Sequence, residues 1–467
     1  MGLGSGVKTA LAGVALALAI EPASADTLRW ALTQAYINNP QINAARAQVR
    51  GQDELVPQAL SGYRPRISLS ASAGEAYVET LSKVATFQGN VSSRTAGNNG
   101  IQSYGATVQQ TLLNGFGTAN RTRQAEQQVS SSREALRNVE QTILLAAVQA
   151  YMNLIRDAAT LNLQRSNVEV LQEQLRQTRD RYDVGEVTRT DVAQAESRLA
   201  VARATLLTAE SNYTTSRSTY RQVIGVEAGR LDPASPVDRL SPSNLQQAIR
   251  AARSQHPQVT AQMFSVDAAQ FQVKIAESSL YPTLTAVGQV TKSYGSTTQL
   301  STLETLQASA VAQFNVPIYQ GGSEYSLIRQ AKETLQQQRV NLDNQRDVQQ
   351  QNLVQTWGLL EASKASVLAN QTAVNAAEIA LNGVREEARV GQRTTLDVLN
   401  AQQELVNARV NLVNAQRDRV VNSYGVLAGV GMLSPTVLQL DVPIYDPVVH
   451  YHQVRDTWAG VRTPDGK

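Results

Sequence analysis

Apolar and polar positions follow two different periods along this chain, and the switch between them comes twice. The pattern predicts a short helix over 27–38 and a second one to about 61, opened by Pro40, a residue suited to a first helical turn. After Pro65 the period falls to two. Ile67, Leu69, Ala71 and Ala73 alternate with polar residues, as on a strand with one apolar face. A turn-rich stretch around 78–100, ETLSKVATFQGNVSSRTAGNNG, follows. Alternation then resumes at Tyr104, Ala106, Val108, Gln110 and Leu112. Strands are therefore expected at about 65–79 and 101–113, with NGFG (114–117) ending the pair. Neither Gly nor Pro occurs from Thr118 to Val184. That predicts one helix of roughly 100 Å at about 1.5 Å per residue. Gly185 breaks it, and another helix is expected from about 190 to 229.

The same order then recurs. Leu28, Ala31, Pro40 and Pro65 are matched by Leu245, Ala248, Pro257 and Pro282 at an offset of 217. Helices are expected at 245–252 and 257–280, and strands at about 282–292 and 306–317. A long helix follows at 323–389, with Gly358 and Gly383 as weak points costing about 1 kcal/mol each relative to Ala. The last helix is expected at about 395–430. VGEVTRTDVAQAESRL (184–199) and VGQRTTLDVLNAQQEL (390–405) align at an offset of 206. The smaller offset puts extra residues of the first copy around 78–100. The chain thus reads as a duplication: 26–230, a linker 231–244, and 245–433. A tail, 434–467, has no counterpart and is expected either to wrap the middle of the helical part or to be disordered. In each repeat the two shorter helices together match the long one. Stacked end to end, they would run beside it and form a layer of helices.

Composition narrows the class. Only 17% of residues are charged, 5% are aromatic and the net charge is +3, so nothing points to nucleic acid. Long helices joined by narrow seams suit such a chain better than a thick core. Residues 1–25 read as a secretory signal: Lys8, the apolar run TALAGVALALAI (9–20), and Ala23-Ser24-Ala25 before Asp26. There is no cysteine. No later run is apolar and long enough for a membrane helix, so any membrane segment must be made of strands. Four strands cannot close a barrel with a lumen, and an open edge in lipid costs several kcal/mol per unpaired backbone group. Three chains would pool twelve strands. The alternative is a soluble periplasmic coiled-coil scaffold or adaptor whose hairpins pack on their own helices.

No catalytic constellation, cofactor motif or metal site emerges. His450-Tyr451-His452 would share one side of a strand, but no third ligand is visible, and a surface tail is the expected reading. NGFGTAN (114–120) lacks the third glycine of a phosphate loop. Tyr77, Tyr104, Tyr281, Tyr294 and Tyr319 lie near strand ends, as in an interfacial girdle.

The duplicated layout, the long helices and the repeated VGxxTxxDVxxA tip resemble the TolC-type outer membrane factors of Gram-negative bacteria, over about 26–433. The resemblance implies a mixed α and β membrane protein. It would be a homotrimer whose 12-stranded outer-membrane β-barrel continues into a 12-helix periplasmic α-barrel. It implies a passive, non-enzymatic export duct of tripartite drug efflux pumps or type I protein secretion. The partners would be a periplasmic adaptor (membrane fusion protein), an inner-membrane transporter of RND or ABC type, and outer membrane lipid. By the same resemblance, Asp397 would form a carboxylate ring at the periplasmic mouth, with Asn400 where a second ring is common. Arg393 would latch to Thr190 and Asp191 of the other hairpin, while Ala388 replaces another latch residue. The tip turns, Gly185, Glu186, Val187 and Gly391, Gln392, Arg393, would meet the adaptor. The plainer expectation is that Asp191 and Asp397 sit at helix N-termini because the helix dipole favours acids there.

Overall fold

The computed structural model describes residues 26–87, 89–297, 300–464 and 466, so the expected signal segment 1–25 lies outside the described residues. The first repeat contains α1 (Leu28–Asn38), α2 (Pro40–Asp53), α3 (Leu55–Leu60), β1 (Arg66–Thr86), β2 (Gly89–Asn114), α4 (Gly117–Asp183) and α5 (Arg189–Ile224). The second contains α6 (Leu245–Gln255), α7 (Pro257–Glu277), β3 (Thr283–Thr297), β4 (Leu300–Asn315), α8 (Ser323–Arg389) and α9 (Thr395–Val430). A last helix, α10 (Pro447–Val454), belongs to the tail.

The long helices α4 and α8 each run 67 residues. Gly358 and Gly383 lie within α8. Shorter helices abut end to end beside them. Asn39 caps α2 through its side-chain oxygen, and its Nδ2 donates to the Val223 carbonyl in the last turn of α5 at 2.8 Å. At the matching place, His256 caps α7 through Nδ1, and Gly431, which ends α9, lies against His256 and Pro257. α7 bridges the two long helices through polar seams. Ser131 of α4 donates to the Ala261 carbonyl, and Gln262 donates to the Gln338 carbonyl of α8.

The largest apolar core sits where these ends meet. Leu28, Leu32 and Ala35 of α1 pack with Leu144 and Tyr151 of α4, Tyr220 and Ile224 of α5, and Tyr424 and Leu427 of α9. Fully burying one such aliphatic side chain contributes about 1.5–3 kcal/mol, so this joint ties both repeats together. The Tyr151 hydroxyl reaches the backbone oxygens of Asp26 and Asp232 at 2.7 and 2.6 Å. Those contacts pin the start of the first repeat to the linker.

The four strands form one antiparallel sheet in the order β1-β2-β3-β4. The first hairpin reaches further than the alternation suggests. The stretch 78–100, expected as a loop, continues both strands to the Thr86↔Gly89 end pair. Above Ile101, β2 has left its pairing with β3, so that part of the hairpin stands beyond the sheet. Most of its described residues are exposed, so no apolar alternation marks them. The second hairpin also runs past its expected end at 292, to Thr297.

Three further expectations are corrected. The helix over 40–61 breaks at Glu54, because Pro57 lacks an N–H and its ring crowds the carbonyl four residues earlier, that of Asp53. The helix over 190–229 ends at Ile224, where Gly225 turns left-handed with φ 87°. Among its described residues the tail is neither disordered nor a surface strand. It folds back on the first repeat, where Arg46 stacks between the Tyr36 and Tyr445 rings and Arg64 stacks on Trp458. His450, on α10, is buried with its Nδ1 3.0 Å from Oδ2 of the fully buried Asp53. Arg133 approaches the other carboxylate oxygen at 3.5 Å.

Candidate functional site

The sheet has two unlike faces. Directly paired residues in an antiparallel ladder share a face. One face joins Leu69 to Ala106, Ala106 to Val290, and Val290 to Ala308. Neighbouring rungs add Ile67, Val108, Gly288 and Ala310, then Ala286, Ala312 and Phe314. The opposite face carries Ser68, Thr107, Gln289 and Ser309 on one rung and Ser70, Gly105, Thr291 and Gln307 on the next. The apolar face ends at Tyr104 and Tyr294, whose rings meet edge to face at 6.5 Å, beside the Lys292–Glu304 pair. At its other end Phe314, Tyr281 and Phe116 are exposed. The ten residue steps of β2 from Tyr104 to Asn114 rise roughly 34 Å along the strand, or roughly 25 Å of height at a tilt near 45°. That height equals the apolar band of an outer-membrane barrel. Both outer edges of the sheet, on β1 and β4, have no strand partner among the described residues.

At the far end of the helices, the repeated tip motif resolves into a stop signal followed by a start signal. Gly185 and Gly391 take left-handed φ of 79° and 78°. The next residue, Glu186 or Gln392, donates back to the Arg181 or Glu387 carbonyl. That is the glycine-ended helix stop, and glycine is required because its φ is positive. Thr188 and Thr394 then cap α5 and α9, and Asp191 and Asp397 close capping boxes with them. Both carboxylates accept hydrogen bonds from the threonine backbone N–H and hydroxyl. The Thr394 backbone N–H, then its hydroxyl, hold the Asp397 carboxyl below the usual carboxylate range. It is therefore ionised throughout the neutral range.

The expected latch residues have other partners within the protomer. Arg393 donates to Glu387 at 2.8 Å, inside its own hairpin, and Asp191 is engaged by Thr188. Thr190 is exposed in the first turn of α5. Ala388 lines a cleft of about 560 Å³ between α4 and the second hairpin, with Glu173, Arg181, Arg385 and Arg389. Gly185, Glu186, Gly391 and Gln392 are exposed, and Val187 is half-buried. Asn400 is the site residue held from the other hairpin: Arg198 Nη2 donates to its Oδ1 at 2.7 Å. Arg198 and Glu387 did not stand out in sequence, since charged residues on helix faces are ordinary.

A chain with this sheet, these helices and these tips has known counterparts. The family model "outer membrane efflux protein" matches residues 31–226 and 248–429, one segment in each repeat. The chain belongs to this family. It is 41% identical to the outer membrane efflux protein BepC of Brucella suis over 456 residues, covering 96% of this chain and 94% of that one. Identity to the outer membrane protein TolC of Escherichia coli is 25% over 468 residues, covering 94% and 89%. Among solved structures, the Campylobacter jejuni CmeC outer membrane channel superposes with a TM-score of 0.73 at 16% identity, covering 97% of this chain and 98% of that one. The TolC-type resemblance therefore holds, and this family member is an outer membrane protein whose helices extend into the periplasm.

Proposed function

We propose that three copies of this chain close a 12-stranded barrel and a 12-helix tube that together form a passive export duct. The observation that carries this reading is the sheet. It has an apolar face of membrane height, a mostly polar face opposite, and two edges unpaired among the described residues. In lipid those edges need neighbours, and a ring of three sheets supplies them without leaving an edge. The polar face then lines a water-filled bore that performs no chemistry and asks little of its cargo.

The relatives' names give the setting: an efflux protein in Brucella suis and the alkaline protease secretion protein AprF in Pseudomonas aeruginosa. On this reading a periplasmic adaptor engages the exposed tip turns, and an inner-membrane transporter supplies the energy. Asp397, ionised and at the start of α9, forms a ring of three carboxylates that favours cations at the mouth. The soluble scaffold reading leaves the apolar face of the sheet without a partner. Membrane fractionation with unheated gel electrophoresis tests the proposal. A heat-sensitive trimer in the outer membrane that conducts in planar bilayers is expected. A monomer released without detergent would overturn it.

A further inference from the structure

The polar face of the sheet is almost free of charge. Apart from Arg66, the charged residues of the four strands are Glu75, Glu79, Lys83, Arg94, Lys292 and Glu304. Glu75, Glu79 and Lys83 lie an even number of residues from Leu69 and so share its side of β1. Arg94 pairs with Leu81, Lys292 with Tyr104 and Glu304 with Tyr294. All six therefore belong to the side that carries the apolar band. Arg66 points the other way. It opens β1 opposite Gln109, on a rung completed by Val287 and Val311. It is exposed, and among the described residues it has no hydrogen-bond or ion-pair partner. The segments that join strands to helices, 61–65, 115–116, 278–282 and 316–322, contain no carboxylate. Their one cation, Arg64, is taken up by the tail: it stacks on Trp458 and donates to the Thr457 carbonyl at 2.6 Å. Arg66 is left as the free charge where the helices meet the polar face.

We propose that Arg66 of three copies forms a cationic ring at the root of the barrel, and that this ring binds the oxyanion groups, carboxylate, sulfate or phosphate, of cargo entering the bore. The inference rests on the three-copy duct reading and adds one preference to a bore otherwise lined by neutral side chains. A guanidinium presents a planar fork of donors that fits an oxyanion. No carboxylate on the adjoining rungs neutralises it. The Asp397 carboxylates stand beyond the whole of α8, 67 residues away along the helix, which is roughly 100 Å. Screening acts over about 8 Å at physiological ionic strength, so the two rings work independently.

Planar-bilayer recording tests the ring. Tripolyphosphate added on the side of the sheet, away from Asp397, should block the parent channel. Arg66→Gln should raise the half-blocking concentration by roughly tenfold, because the anion loses up to three guanidinium contacts at once. Arg66→Lys keeps the charge and should keep most of the block. Lys292→Gln, on the other face, should leave it unchanged. The chain has no cysteine, so Arg66→Cys provides one thiol per protomer. Trimethylammonium-ethyl methanethiosulfonate should restore block to that variant, and the sulfonatoethyl reagent should not. This comparison within one channel keeps the test valid if Arg66→Gln assembles poorly. The ring is overturned if the parent trimer conducts but is not blocked, if Arg66→Gln is blocked like the parent, if Lys292→Gln loses block equally, or if both reagents act alike. A parent protein that forms no conducting trimer overturns the duct reading itself, and the ring with it.

Discussion

No described residue of the four strands is buried, whereas both long helices carry buried stripes. The strands have backbone pairing but no core, and the helices have a core at their joint and seams along their hairpins. One region is held by its own chain; the other waits for surroundings. The contrast explains how a chain with so few large apolar side chains makes both parts. In the proposed barrel the sheet needs no interior, because lipid would cover one face and water the other. The helices need only narrow seams because each meets its neighbours along a line.

The sharpest way to break this comparison is to place a charge on either face of the same strand. In the proposed trimer, Val290→Arg would put three guanidinium groups in the apolar band at about 2–4 kcal/mol each. Loss of the heat-sensitive trimer is expected. The adjacent change, Gln289→Arg, points to the opposite face and should leave the trimer intact while shifting the bore toward anions, read as reversal potential. Equal tolerance of both changes would mean the faces are not distinguished by lipid.

The helical part should answer to pH instead. Burial pushes the His256 imidazole down to about 4, so the folded chain keeps it neutral. An unfolded imidazole takes its proton near 6.5. Stability is therefore complete above about 6.5, falls as pH drops to about 4, and is flat below, with a total loss of about 3 kcal/mol per protomer. His256→Asn, which copies the matching Asn39, should remove that dependence of the helical melting temperature. An unchanged pH profile would show that another group sets it.

The smallest effect is expected at the exposed tip. Asp397→Ala removes a capping carboxylate from a solvent-facing turn, so trimer stability should barely move. Block of the channel by multivalent cations from the periplasmic side should weaken. The same substitution at the twin position, Asp191→Ala, is expected to leave block unchanged. Equal effects at both positions would mean that the tips do not differ in their access to the bore.

Much of this was readable from local pattern. Ile67, Leu69 and Ala71 alternate because one side of β1 is apolar, and the glycine and threonine of each tip motif mark a helix stop and start that need no distant partner. The hairpin beyond Ile101 was not readable, because its described residues are mostly exposed and need no alternation. The break at Glu54 carried a signal in Pro57 that the periodicity concealed. The tail misled for a different reason. His450-Tyr451-His452 looks like a polar surface run until Asp53, 397 residues away, is seen buried against it.

The sequence by itself determined the two periods, the duplication and the caps, because each depends on residues within a few turns or rungs of one another. Only the tertiary structure decided which hairpin Leu399 packs against, which acceptor Arg198 finds, and that Arg393 turns back to Glu387. A long charged or apolar side chain on an exposed helix face has several partners of similar energy within reach. The packing of whole helices, and no local rule, selects among them.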